Sequence, residues 1–109
     1  MKSKQLILLE YAYDDADRIL NDTVSDYGFD ASVRLVDELE KSFRRISRFP
    51  KLGSLRIGQE IGFDNLNSFA LKKLPFVIFY LEHKEHIGII RILHQKQHIP
   101  FWLGVWVER

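Results

Sequence analysis

Apolar positions near the start of the chain change their spacing from strand-like to helical. Residues 5–10, QLILLE, form a short apolar run whose length suits a strand buried on both faces. From Tyr11 onward, apolar residues recur every three or four positions while acidic residues fill the other face. This pattern predicts an amphipathic helix, which Gly28 would end in a left-handed conformation.

A second helical stripe follows after only a short link. Apolar residues from Ala31 to Ile46 again recur at three or four positions, and Asp30 stands where it can cap the new helix. Pro50 should end this helix, because a proline disfavours helical geometry in the residue before it. Two helices joined so closely should lie antiparallel as a hairpin.

The second half of the chain predicts three strands. Residues 66–72 alternate loosely, while residues 76–81 and 87–93 are apolar runs rich in aromatic and β-branched side chains. Turns at 73–75 and 83–86 would connect them as an antiparallel meander, whereas residues 51–64 show no assignable pattern. We therefore predict a single α+β domain over residues 1–109. It would have an antiparallel sheet of about four strands in β-α-α-β-β-β order, with the helical hairpin on one face.

Composition narrows the class of protein. Of the 109 residues, 46% are hydrophobic and 28% are charged, with 6 Gly and 3 Pro, which is typical of a globular chain and not of a disordered one. The absence of Cys excludes a disulfide scaffold, a thiolate zinc site and a cysteine nucleophile. The longest apolar runs, 6–9 and 74–81, are too short to span a membrane. The four apolar residues that follow Lys4 are also too few for the apolar core of a signal peptide. We expect a cytoplasmic protein without a membrane partner.

Charge is distributed unevenly along the chain. Residues 1–40 carry four bases and ten acids, whereas residues 41–109 carry twelve bases and five acids. The later part of the chain therefore suits an acidic partner or a phosphate backbone, unless the separation of charge is only that of an ordinary solvated surface.

Known catalytic and metal-binding motifs are not found. His83 and His86 are three residues apart and His94 and His98 four, but neither pair belongs to an H-E-x-x-H motif. The sequence also contains no Gly-rich phosphate loop and no G-x-S-x-G elbow. We expect no metal and no cofactor.

Several polar side chains in or beside the predicted strands are candidates for a site. Arg91 interrupts an apolar run, so it should either pair with an acid such as Glu82 or reach a ligand, because an unpaired buried charge is too costly. Tyr80 either stacks on a base or belongs to the core. Lys72 and Lys73 flank a turn, where they are either solvated or in contact with phosphate.

Segments spread over nearly the whole chain match one family in order and spacing. They are residues 12–19, 48–53, 66–69, 74–80 and 90–94, followed by Ile99 and Pro100. Together they resemble the RelE/ParE superfamily of bacterial type II toxins. The F-P-x-x-G step at 49–53, the I-F-Y strand at 78–80 and the R-x-L-H ending at 91–94 are similar to the ParE branch. The resemblance implies a toxin that stalls DNA gyrase in its DNA-cleaved state. It also implies a cognate antitoxin, through which alone the toxin would meet operator DNA.

Two alternatives remain within this resemblance. RelE-type toxins cut messenger RNA in the ribosomal A site with an arginine early in the third strand, where this chain has Val77. His94 and Lys96 remain as possible catalytic groups, but they make an incomplete set, so we expect a non-enzymatic inhibitor. The other alternative is an inactive module that acts only in repression of its operon. Departures from the ParE pattern are Asn67 and Leu81, where arginine is common, and His98 in place of aspartate.

We expect an antitoxin tail to enter grooves between the sheet and the hairpin as an amphipathic helix and an added strand. The aromatic segment 101–107 should cover the sheet or lie under that antitoxin. The predicted contacts to target or antitoxin are Lys72, Lys73, Tyr80, Arg91, His94, Lys96, Phe101, Trp102 and Trp106.

Overall fold

The structure, a computed structural model, describes residues 3–96. No helix in this range is long and apolar enough to cross a membrane. The strands are β1 (Gln5–Leu8), β2 (Asn67–Ala70), β3 (Phe76–Glu82) and β4 (His86–His94), and the helices are α1 (Glu10–Tyr27), α2 (Phe29–Arg48) and α3 (Arg56–Glu60). The fold is α+β, as the sequence predicts, with the predicted order of strands and long helices.

The helical hairpin turns at a single glycine. Gly28 has φ of +93°, a conformation that a side chain disfavours, and its N–H donates to the Val24 carbonyl to close α1. The expectation that Asp30 caps α2 is wrong. Gly28 is itself the N-cap of α2. Asp30 lies in the first turn of the helix, where its negative charge interacts favourably with the positive end of the helix dipole. The helix ends at Arg48, two residues before Pro50.

The sheet has the strand order β1-β4-β3-β2. Strands β2, β3 and β4 form the predicted antiparallel meander, with a bulge in the pairing of β3 with β4 next to Tyr80. Strand β1 instead lies parallel to β4, with Leu6 opposite Ile87, so the sheet is mixed. The expectation that β1 is buried on both faces is wrong. It is an edge strand, and Gln5 and Ile7 are exposed.

At each edge of the sheet, a residue from outside the strands forms hydrogen bonds with the backbone of the outer strand or of the residue before it. Ser54 forms a two-way backbone bridge with Ser68 of β2. At the start of β1, the Lys4 N–H donates to the Ser47 carbonyl and the Ser47 hydroxyl donates to the Lys4 carbonyl. The segment that the sequence left unassigned holds a 3₁₀ turn at Pro50–Leu52 and the short helix α3, both too short to show a helical period.

Apolar side chains fill both faces of the sheet. The face under the hairpin buries side chains from α1, α2, β3 and β4: Ala12, Ile19, Leu35, Leu39, Ile46, Ile78, Tyr80, Ile87, Ile89 and Ile92. The opposite face has a smaller cluster, which packs against residues of α3 and of the segment that follows it: Leu66, Val77, Phe79, Ile90 and Leu93.

The Tyr80 hydroxyl connects the sheet to the chain that follows α2. It donates to the Pro50 carbonyl at 2.8 Å and accepts the Gly53 N–H at 3.0 Å. A β-carbon at position 53 would lie 2.6 Å from this hydroxyl oxygen and 2.9 Å from the Ser68 carbonyl oxygen, so only glycine fits there. Burial raises the pKa of the Tyr80 phenol above its ordinary value, although the Gly53 hydrogen bond opposes this shift.

We expect Tyr80→Phe to lower the free energy of unfolding by about 1–3 kcal/mol, because it leaves the Pro50 carbonyl and the Gly53 N–H without their partner. Chemical denaturation at neutral pH measures this loss. Tyr13→Phe is the matched control, since the Tyr13 side chain is 66% exposed and should change stability by less than about 0.5 kcal/mol. Equal effects of the two substitutions would contradict the assignment.

The same pair of variants tests the pKa shift. Above the ordinary tyrosine pKa the unfolded chain loses a proton that the folded chain keeps, so stability falls with rising pH until the folded pKa is passed. Tyr80→Phe should remove this part of the alkaline fall.

Candidate functional site

A buried ion pair joins the helical layer to β4. The Arg91 Nε donates to Asp15 Oδ2 at 2.7 Å and Arg91 Nη2 donates to Asp15 Oδ1 at 2.9 Å, a two-bonded geometry. The two residues are 3% and 1% exposed. The guanidinium carbon also lies 5.4 Å from the centre of the Tyr11 ring. The charge of Arg91 is therefore compensated inside the protein.

The Asp15 carboxylate also closes the open edge of β4. Strand β1 pairs with β4 only as far as Ile89, and beyond that point the Ile92 N–H donates to Asp15 Oδ2 at 3.0 Å. Arg18, one turn further along α1, donates to Asp15 Oδ1 at 3.1 Å. One carboxylate thus satisfies a backbone group that a longer β1 would have paired.

The partner expected for Arg91 was therefore wrong. Arg91 pairs with Asp15, whereas Glu82 accepts hydrogen bonds from Lys4 at 2.8 Å and Lys51 at 3.2 Å. The Lys4 hydrogen bond, with a smaller effect from Lys51, lowers the pKa of Glu82. Glu82 therefore contributes stability above its ordinary pKa, and this contribution is lost as the pH falls through the lowered value.

A cleft of about 760 Å³ separates the Gly28 end of the hairpin from the end of the sheet where β3 begins and β4 ends. Its walls combine apolar side chains with charges of both signs. The apolar part includes Ile19, Ala31, Leu35, Leu74 and Phe76, and the charged part is Arg18, Asp22, Asp26 and Arg34. Such a mixed groove suits a peptide segment with apolar anchors and polar flanks.

Four predicted contact residues lie around this end of the sheet. Lys72 and Lys73 are exposed in the β2–β3 connection, and Lys96 is exposed just after β4. His94 lines the cleft, its ring 5.4 Å from that of Phe76 in an edge-on contact, and its Nδ1 accepts the Lys96 N–H. The Gln95 N–H donates to the Pro75 carbonyl, which holds the two segments together.

The other predicted contacts are placed differently. Tyr80 and Arg91 are buried, so a partner would reach them only through a change in the fold, and their contact role remains a prediction. Phe101, Trp102 and Trp106, with the rest of segment 101–107, lie outside the described residues.

The three histidines within residues 3–96 form no cluster with other ligands. His83 and His86 stack on each other at the β3–β4 turn, with ring centres 4.5 Å apart. Across residues 3–96, no group of three or more His, Asp or Glu side chains is placed to hold a metal ion.

Sequence reasoning missed Asp15, although a signal for it was present. Asp15 falls between Ala12 and Ile19 on the apolar face of α1, and a carboxylate on such a face requires a buried partner. The charged walls of the cleft gave no signal of this kind, because Asp22 and Arg34 read as ordinary solvated residues on their helices.

We expect Asp15→Asn to destabilise the fold by about 3–5 kcal/mol, because it leaves the Arg91 charge buried without a counter-ion. The double variant Asp15→Asn with Arg91→Met should recover at least half of this loss, since it removes the charge while the carbonyl of the introduced amide still accepts the Ile92 N–H. Denaturant unfolding of the two variants provides the comparison. A double variant no more stable than the single one would show that the charge is not the cause.

Comparisons with known proteins identify the fold and the family of the chain. The chain has the fold of a solved protein described as "Chromosomal ParDE TA system from P. aeruginosa", with a TM-score of 0.70 and 18% identity over 84% of this chain and 96% of that one. It is 30% identical over 90 residues to Toxin ParE3 of Caulobacter vibrioides, and the matched region covers 83% of this chain and 85% of the relative. Residues 6–99 match the family described as the ParE toxin of the type II toxin-antitoxin system parDE. The chain belongs to the ParE family of toxins of type II toxin-antitoxin systems.

Proposed function

We propose that this ParE-type toxin acts by binding DNA gyrase and not by cutting RNA, and that an antitoxin neutralises it by occupying the cleft. The observation that carries the first part is that the two central strands present no unpaired cation at positions 77 and 91. Val77, at the position where the resemblance places the nuclease arginine, is buried on the sheet face away from the hairpin. Arg91 is held by both oxygens of Asp15. Neither position offers a free cation to a scissile phosphate, which such a nuclease requires.

The exposed cations at the end of the sheet are the surface that we assign to the gyrase. Lys72 and Lys73 are exposed in the β2–β3 connection, and Lys96 follows β4 at the same end. The hydrogen bond from the Gln95 N–H to the Pro75 carbonyl holds the β2–β3 connection against the end of β4, which fixes the backbone next to these lysines. A charged rim of this kind speeds association with a partner of opposite charge.

We expect the double variant Lys72→Glu and Lys73→Glu to need at least about tenfold more toxin for half-inhibition of gyrase supercoiling, because it reverses the charge of this rim. Lys84→Glu, at the exposed β3–β4 turn, is the control and should inhibit as the unchanged chain does. A ribosome-dependent mRNA cleavage assay runs beside it. Cleavage without gyrase inhibition would favour the ribonuclease, and neither activity would favour the module that only represses its operon.

The cleft carries the second part of the proposal. Its apolar floor from Ile19, Leu35 and Phe76 offers sites for the anchors of an amphipathic segment, while Arg34 on its wall can pair with an acid of that segment. The match to the ParE toxin family of a toxin-antitoxin system supports an antitoxin as a partner of this chain.

We expect Ala31→Trp to weaken antitoxin binding by at least about tenfold, because the indole fills the space between α2 and the sheet end. Val33→Trp is the matched control on the same helix, since Val33 is 50% exposed and does not line the cleft. Titration calorimetry with the purified cognate antitoxin measures both affinities. Equal loss in the two variants would place the antitoxin elsewhere.

A further inference from the structure

A dense group of cations begins in the second half of α2 and continues past its end. Residues 41–59 contain six bases and no acid, which makes this the most one-sided stretch of the sequence. All six side chains are exposed: Lys41, Arg44, Arg45, Arg48, Lys51 and Arg56. No part of the function proposed above uses them.

Three of these bases, Arg44, Arg45 and Arg48, form what we call the arginine stripe. Their spacing of one, three and four residues places them on one side of α2, while Ser42 and Ile46 on the other side are buried. The stripe therefore faces solvent over the last turns of the helix.

The arginine stripe differs from the neighbouring bases in its partners. Lys41 pairs with Asp37 at 3.0 Å, Lys51 with Glu82 at 3.2 Å and Arg56 with Glu60 at 4.0 Å. Among residues 3–96, no carboxylate pairs with any member of the stripe. Arg45 and Arg48 instead lie over aromatic rings, 5.7 Å from the centre of Phe69 and 5.6 Å from that of Phe49.

The helix dipole accounts for only part of this arrangement. Cations in the last turn of a helix are favourable, which explains the positions of Arg45 and Arg48. It does not explain why acids stay absent beyond the helix, as far as residue 59. A run of six bases with no acid over such a length of chain is typical of an electrostatic footprint for a polyanion.

We propose that the arginine stripe binds the phosphate backbone of duplex DNA directly. Guanidinium groups present paired donors that match phosphate oxygens, and all three members of the stripe are arginines. Arg44 and Arg48 are about 6 Å apart along the helix axis, close to the roughly 6.8 Å that two phosphate steps span along one strand of DNA. The convex face of a helix also fits the wide groove of B-form DNA.

This partner goes beyond the expectation that operator DNA is contacted only through an antitoxin. It does not depend on gyrase as the target. An acidic protein segment is the competing partner, but the mixed charges and apolar floor of the cleft suit a peptide better than this convex, charged face does. Backbone contacts of this kind carry no sequence preference.

Fluorescence anisotropy of the full chain with a labelled DNA duplex of about 30 base pairs, from about 50 to about 300 mM NaCl, tests the proposal. We expect the logarithm of the association constant to fall with the logarithm of salt concentration with a slope of about −3, from three phosphate contacts. The triple variant Arg44→Gln, Arg45→Gln, Arg48→Gln should bind at least about tenfold more weakly at the lowest salt, with a slope near zero. Its thermal midpoint should change by no more than about 4 °C, because all three side chains are exposed.

The control changes net charge by the same amount on other exposed surfaces, with Asn21→Asp, Ser25→Glu and Lys84→Gln. This variant should keep the slope and bind within about threefold of the unchanged chain, and that result supports a local site. An equal loss in the control, or no binding by the unchanged chain at the lowest salt, would overturn the proposal. So would tighter binding to a polyglutamate peptide that the arginine substitutions abolish, because the surface would then belong to an acidic protein segment.

Discussion

The Asp15 carboxylate is the contact on which the arrangement of the two layers depends. It accepts hydrogen bonds from Arg91, from Arg18 and from the backbone of Ile92, so that α1 satisfies one backbone group on the part of β4 that β1 leaves unpaired. Because β1 is only four residues long, that edge would otherwise be open. A buried carboxylate tolerates this position only with all of its donors present, which makes the register of α1 on the sheet specific.

The position of the hairpin in turn creates separate surfaces. The first half of α2 and the second half of α1 form one wall of the cleft, whereas the arginine stripe occupies the second half of α2. The exposed lysines of the β2–β3 connection stand at the sheet end of that cleft. An antitoxin segment, a protein target and a DNA backbone would thus meet different residues, and the first two surfaces adjoin at the end of the sheet, where Leu74 of the cleft follows Lys73.

Local signals in the sequence identified most elements of this fold. The change from strand-like to helical spacing, the glycine at position 28 and the apolar runs of β3 and β4 each report the geometry of their own segment. The direction of β1 carries no such signal, because pairing with β4 brings together residues about 80 positions apart. The same separation concealed the partner of Arg91, since Glu82 is near in sequence and Asp15 is near only in space. The cleft was foreseen as a groove between the layers, but its charged walls depend on how far the hairpin extends past the sheet.

The outermost strands have a consequence for the behaviour of the protein at high concentration. Ser54 occupies a pairing position on β2, Ser47 holds the backbone at the start of β1, and Asp15 covers the part of β4 that β1 leaves open. Exposed strand edges are templates on which other chains add by intermolecular β-pairing. Each of these contacts occupies one position of an edge, so each shortens the stretch of unpaired backbone that another chain could use as a template.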